Sequence, residues 1–293
     1  MVLLTQGLSW GEGMVRLTPL IYRLKRSPLT LVGIGIIFCL LLTAIFASWI
    51  APYDPYRLEP SNRLKPPSSK HWFGTDTAGR DMLTRIIFGT RISIRIGSTV
   101  VFLALISGSL IGLFSGYLGG KFDEAVMRIT DVFFSVPYLV LAMAITAALG
   151  PSLLNAMLSL SMVWWPIYAR LIRGQVLQIR EAPYIEAARA LGATRRRIIF
   201  RHILPNALTP IIVQASLDFG NAIMYAAALS FIGLGAQPPT PEWGAMISLA
   251  RNYLQDSWWF ATFPGLAILI TVIGFNLLGD GIRDMTDPRL REV

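Results

Sequence analysis

Cysteine is almost missing: Cys39 stands alone in 293 residues. An internal disulfide and any CxxC redox or metal site are thereby excluded. Histidine is nearly as scarce, with only His71 and His202, and neither belongs to an HExxH pattern. No GxSxG elbow and no Cys/His cluster occurs, which removes the usual polar centres of an embedded protease or hydrolase. A phosphate-binding loop of the form GxxxxGK[ST] is also missing. The nearest string, Ser115-Gly116-Tyr117-Leu118-Gly119-Gly120-Lys121-Phe122, lacks the first glycine and the closing hydroxyl. Charge is thin as well: 15% of residues are charged, against about 25% in soluble domains.

What fills the space is apolar. Hydrophobic residues make up 54%, and mean hydropathy is +0.55. A membrane helix needs about 20 such residues in a row. Residues 29–51, 96–118 and 260–279 are uncharged stretches of that length. Residues 132–169 are uncharged but too long for one crossing, and Gly150-Pro151-Ser152 divides them into two helices. Residues 202–241 carry one charge, Asp218, and end in Gln237-Pro238-Pro239. The expected fold is therefore all-α and membrane-integral, with six transmembrane helices. The first apolar stretch exceeds the 7–15 residues of a signal-peptide core, and no small-x-small site follows before Pro52, so it reads as an uncleaved anchor.

The balance is basic, with 26 Lys and Arg against 17 Asp and Glu. Basic loops orient membrane helices and meet anionic headgroups, so this surplus points to membrane lipid and not to nucleic acid. With the N-terminus inside, inner segments hold 17 of the 26 basic residues, including Arg16, Arg23, Lys25 and Arg26 at the start. Eight of the other nine crowd into positions 57–95, an unusually basic outer loop. Trp243, Trp258 and Trp259 flank the last span where an outer aromatic belt belongs. Pro52, Pro55, Pro60, Pro66 and Pro67 predict an extended first half for the outer loop. Met82, Leu83, Ile86, Ile87 and Phe88 predict a short amphipathic helix at the interface ahead of the second span.

The inner loop at 181–206 carries the most information. Pro183 suits a first helical turn, and Ile185, Ala188 and Leu191 would share one face. Gly192 stops that helix, Thr194 caps a second one, and Leu204-Pro205-Asn206 would end it where the fifth span begins. A solvated basic loop would look similar. The residue string says more: Glu186-Ala187-Ala188, then Gly192, then Leu204-Pro205 in a 20-residue register. It resembles the EAA loop of ABC importer permeases, with His202 where the general pattern has isoleucine. Phe73-Gly74-Thr75-Asp76 with Gly79-Arg80-Asp81 resembles the FGTDxxGRD segment of the C-type permease in dipeptide, oligopeptide and nickel importers. Leu229-Ser230-Phe231-Ile232-Gly233-Leu234-Gly235, Glu242-Trp243-Gly244 and Gly279-Asp280-Gly281-Ile282-Arg283-Asp284 resemble the same subunit, nearest its D,D-dipeptide branch. One departure stands out: relatives often carry an acid just before the LSFxGLG string, and here that stretch is Ala226-Ala227-Ala228.

The resemblance implies a type I ABC importer permease fold. Residues 1–95 would be a tail, the first helix and an outer loop; 96–282 a five-helix core; 283–293 a cytoplasmic tail. It implies a non-catalytic subunit of the bacterial inner membrane with both termini cytoplasmic. Its partners would be a second homologous permease, two ATPase subunits that hold ATP and Mg, and an external binding protein. The cargo would be a dipeptide or oligopeptide, or else nickel, glutathione or another small solute. ATPase coupling would fall to Glu186, Ala187, Ala188, Gly192, Leu204 and Pro205. Gly108, Gly112 and Gly116 form a small-residue stripe fit for close helix packing, within this chain or between permeases. Asp218 lies ~20 Å along its helix from Pro205, near mid-depth, where it could meet a peptide ammonium group or hold a neighbouring helix. A secondary transporter would show more ionisable groups within its spans and inverted repeats.

Overall fold

The computed structural model describes residues 27–286. The basic residues Arg16, Arg23, Lys25 and Arg26, and the tail residues Asp287, Pro288, Arg289 and Arg291, lie outside them. Among the described residues the chain is helical, with one isolated bridge, Thr75 to Asp81, in place of any sheet.

Helix α1 (Pro28–Ile50) begins on a proline at its first turn. Helix α2 (Met82–Leu118) starts under Asp81, whose carboxylate accepts from the Thr84 amide at 2.8 Å. It runs 37 residues without a break. The separate interfacial helix expected before residue 96 is therefore not formed. Its apolar residues instead make the first turns of the long helix, with Met82 and Ile87 buried against the rest of the chain. Gly119 and Gly120, both at positive φ, turn the chain into α3 (Gly120–Phe134). A break at Ser135-Val136-Pro137 then swings the axis by 90° into α4 (Tyr138–Leu149). Gly150 ends α4, and Ser152 caps α5 (Leu153–Arg180) by accepting from the Asn155 amide. The turn expected at 150–152 is present, but the preceding element is a bent pair.

Helix α6 (Pro183–Ala190) and the helix after it form a hairpin. That second helix, α7 (Arg195–Phe231), does not end at Leu204-Pro205-Asn206 as the sequence suggested. Proline removes one backbone donor from the ladder. A π-helical turn over Ile199–Ile203 takes up the disturbance, Asn206 Nδ2 donates to the His202 carbonyl at 2.6 Å, and the helix continues. Helix α8 (Trp243–Ala250) is capped by Glu242, and α9 (Trp259–Thr286) is the last helix among the described residues.

Among the described residues, four helices are long and apolar enough to cross a membrane: α1, α2, α7 and α9. The bent pair α3–α4 makes a fifth when the two are counted as one span. Helix α5 has the length, at 28 residues, but carries Arg170, Arg173 and Arg180 in its second half. It is packed on α2, α4 and α7, so its outer surface need not be apolar throughout. Its contact with α2 is the most extensive in the molecule. The glycine stripe makes that contact. A Cβ on Gly108 would strike the Trp165 carbonyl, and one on Gly112 the Ala169 backbone. Gly116 sits over Val176. The stripe thus packs within the chain, against α5.

Two ends can be distinguished. The hairpin end holds α6 and the ends of α2, α5 and α9. The opposite, loop end carries residues 51–81 and 232–258. The loop after α1 is folded and not extended. Leu64 and Thr75 donate from their amides to the carbonyls of Asp76 and Lys65, each at 3.0 Å, and Pro60–Asn62 form a 3-10 turn. A second structured segment lies at that end, where α8 tucks beneath this loop with Trp243 buried.

Candidate functional site

The hairpin is held from below and open above. Ile185 of α6 and Ile198, Ile199 and Ile203 of α7 are buried in the main core with Val176 of α5. This apolar base fixes the hairpin to the bundle. Its outer side is bare: Glu186 and Ala187 are exposed, and Ala188 is half-buried. Leu191 was expected on one face with Ile185 and Ala188. It is instead 88% exposed, because α6 ends at Ala190 and the chain turns away.

Gly192 makes that turn possible. Its φ is +79°, a region that strains residues with a Cβ. Its amide donates to the Arg189 carbonyl at 2.9 Å, and the Ala193 amide to the Ala188 carbonyl at 3.0 Å. These two bonds are the paired closure of a helix ended by a left-handed residue. Thr194 then caps α7, accepting from the Arg197 amide at 3.4 Å. Nothing within 4 Å would obstruct a side chain on Gly192. Of the expected coupling residues, Glu186, Ala187, Ala188 and Gly192 thus share one exposed tip. Leu204 and Pro205 lie lower, along α7.

Electrostatics set the tip apart. Arg189, Arg195, Arg196, Arg197 and Arg201 make no ion pair or side-chain hydrogen bond among the described residues, and Glu186 makes none either. Arg189 and Arg195 border a cleft of about 400 Å³ with Tyr117, Leu118, Ala193 and Ile198. A rigid base, a bare small-residue tip and unpaired charges suit a surface made to meet another protein.

Asp218 lies elsewhere, buried between α7 and α5. Gln214 Nε2 donates to its Oδ1 at 3.0 Å, and the Tyr168 hydroxyl of α5 faces the same carboxyl. The carboxyl points into the chain's own core. Replacing Asp218 by Asn keeps an acceptor for Gln214 and adds no charge. Uptake by the Asp218→Asn complex is expected within about twofold of the parent, with normal assembly. A tenfold fall in uptake at unchanged assembly would instead place this carboxyl on the substrate path.

The loop end holds a buried polar knot that the sequence patterns did not announce. Asp76 accepts from Arg80 Nε at 2.6 Å and from the amides of Ala78 and Arg80. Asp81 accepts from Thr84 and meets His71 Nδ1 at 2.9 Å. Arg85 donates to the carbonyls of Pro55, Pro239 and Thr240. Glu242 accepts from the amides of Gly244 and Ala245; burial pushes its carboxyl up, and those bonds oppose the shift. Phe73-Gly74-Thr75-Asp76 and Gly79-Arg80-Asp81, met as strings in the sequence, thus form a scaffold that joins both loops to α2. Gly244 meets the Ala227 backbone so closely that a Cβ there would clash. Ala227 of the Ala226-Ala227-Ala228 stretch is therefore part of the packing floor of α8.

Residues 108–292 match the family described as the binding-protein-dependent transport system inner membrane component. Residues 20–67 match the N-terminal transmembrane domain of oligopeptide transport permease C. The chain belongs to this permease family. The permease is 54% identical over 270 residues to the probable D,D-dipeptide transport system permease protein DdpC of Escherichia coli K12, covering 92% of this chain and 91% of that one. It is 49% identical over 269 residues to the dipeptide transport system permease protein DppC of Alkalihalophilus pseudofirmus, covering 92% and 88%. Among solved structures it resembles the inward-facing MetNI methionine ABC transporter, at TM-score 0.58 and 22% identity, over 70% of this chain and 98% of that one. That likeness shows the fold, an ABC importer permease architecture.

Proposed function

We propose that this permease forms half of the pathway of an ATP-driven importer for short peptides, dipeptides first. The observation that carries this reading is the agreement of relatives at 54% and 49% identity, each aligned over 92% of the chain and each named for dipeptide transport. The hairpin tip then faces the cytoplasm of a bacterial cell, with both termini on the same side, and the loop end faces outward. The tip enters a cleft on one of two ATPase subunits, which hold ATP and Mg. A second homologous permease completes the pathway, and an external binding protein delivers cargo to the loop end.

The test is transport by the whole complex in proteoliposomes with ATP inside. Saturable uptake of a D,D-dipeptide or an L-dipeptide is expected, and the permease purified by itself should not hydrolyse ATP. Uptake of nickel or glutathione with no uptake of either dipeptide would overturn the substrate assignment. ATP hydrolysis by the lone chain would overturn the division of labour.

A further inference from the structure

We propose that Asp123 and Asp131 on α3, with Arg170 and Arg173 on α5, form an ionic clamp that carries movement of the hairpin to the broken pair α3–α4. The proposal rests on the coupling role given above to the hairpin. It adds the route by which that movement reaches the membrane part of the chain.

Helix α3 is thinly covered by the rest of the chain. Only Thr130 of its 15 residues is buried, whereas Phe122, Ile129 and Val132 are exposed. Both its ends are natural hinges. Gly119 and Gly120, at φ +67° and +59°, separate it from α2, and Ser135-Val136-Pro137 separates it from α4 at a 90° bend. An element hinged twice, with little apolar anchorage, goes where its few strong contacts take it.

The ionic ones among those contacts lead to α5. Arg173 grips Asp123 with both Nε and Nη2, each at 2.6 Å. A fork of this kind fixes orientation as well as distance. Ser115 Oγ adds a bond to the same carboxylate at 2.5 Å. Arg170 Nη2 meets Asp131 at 2.6 Å, and its guanidinium lies 4.2 Å from the Phe134 ring centre. Asp123 and Asp131 are eight residues apart, about 12 Å along the helix. Two grips at that spacing pass on rotation as well as translation. The Asp123 grip is the more enclosed, while the Asp131 pair is half-exposed and the weaker partner.

Helix α5 is the natural driver. It continues from Arg173 to Arg180 and then enters the hairpin through Glu181 and Ala182. Arg180 Nη1 also donates to the Gly116 carbonyl at 2.9 Å, so the end of α2 is tied to the same segment. A shift of the hairpin relative to the bundle thus reaches α3 through the guanidinium groups, with the Phe133–Trp165 ring contact beside them. The unpaired arginines of the tip differ from these two, whose acids lie within the chain.

The test uses the complete importer in proteoliposomes, reading peptide uptake, ATP hydrolysis and subunit assembly. Asp123→Asn and Arg173→Gln should assemble and still hydrolyse ATP when the loaded binding protein is added. Peptide imported per ATP should fall about tenfold, within the usual range of a coupling energy. The swap Asp123→Arg with Arg173→Asp should recover most of the ratio. Parental uptake per ATP in both single variants would overturn the clamp. So would a swap that assembles but stays as poor as the singles. If the singles fail to assemble, the swap decides: assembly with restored uptake upholds the clamp, and anything less marks a static staple. The hairpin reading fails separately. Normal stimulation of hydrolysis in Gly192→Val would sink it and remove the driver from this proposal. A defect in Gly192→Val with parental uptake per ATP in the clamp variants would sink the clamp alone.

Discussion

Arg85→Met is expected to unfold the loop end while leaving the helices in the membrane. The guanidinium is 1% exposed and joins three separate stretches of chain. Nη1 donates to the Pro55 carbonyl at 3.0 Å and to that of Pro239 at 3.2 Å, and Nη2 to that of Thr240 at 3.4 Å. Asp76 Oδ2 lies 3.6 Å from Nε, so the cation also offsets a buried carboxylate that Arg80 alone would have to balance. Removing one partner of a buried charged network costs about 3–5 kcal/mol, against a typical total of about 5–15 kcal/mol. Arg85→Lys should rescue only part of this, since one ammonium group cannot reach all the separate acceptor carbonyls. The measurement is limited proteolysis of sealed vesicles from the loop end, together with thermal denaturation of the purified protein. Cleavage within 51–81 and 232–258 should become rapid. Parental protease resistance and melting in Arg85→Met would show the knot to be dispensable.

Gly192→Val is expected to abolish the stimulation of ATP hydrolysis by the loaded binding protein, by at least about tenfold. Gly192 sits at φ +79°, where a β-branched residue carries about 1–3 kcal/mol of strain. Space within the chain is no obstacle, because nothing lies within 4 Å of the position. A defect must therefore come from backbone strain at the tip or from the surface that meets the tip. Gly192→Ala separates these, since it keeps most of the strain and adds little bulk. Glu186→Lys probes charge at the same exposed tip and should reduce co-purification of the ATPase subunits. If Gly192→Val and Glu186→Lys assemble and hydrolyse like the parent, the hairpin is a basic connector and the coupling assignment falls.

Hydropathy and local punctuation were readable directly. Runs of apolar residues marked α1, α2, α7 and α9, because a helix in lipid must be apolar along its own length. Gly150 and Ser152, Gly192 and Thr194, and Pro183 marked helix ends, because capping acts over three or four residues. The EAA spacing was legible for the same reason: a helix, a left-handed glycine and a capped helix form one local object. Tertiary structure decided the rest. The break at Pro137, with no charge nearby to announce it, split a stretch that hydropathy read as continuous. The π turn at Ile199–Ile203 let α7 run past Pro205, since a proline's missing donor can be absorbed by a wider turn. Arg170 and Arg173 looked like two more basic residues on an inner loop until folding brought Asp123 and Asp131 beside them, 50 and 39 residues away in sequence. Arg85 likewise found its carbonyl partners 154 and 155 residues on. Sequence periodicity reports which face of a helix is apolar. Which partner that face or that charge meets depends on contacts between distant segments, and only the folded chain sets those.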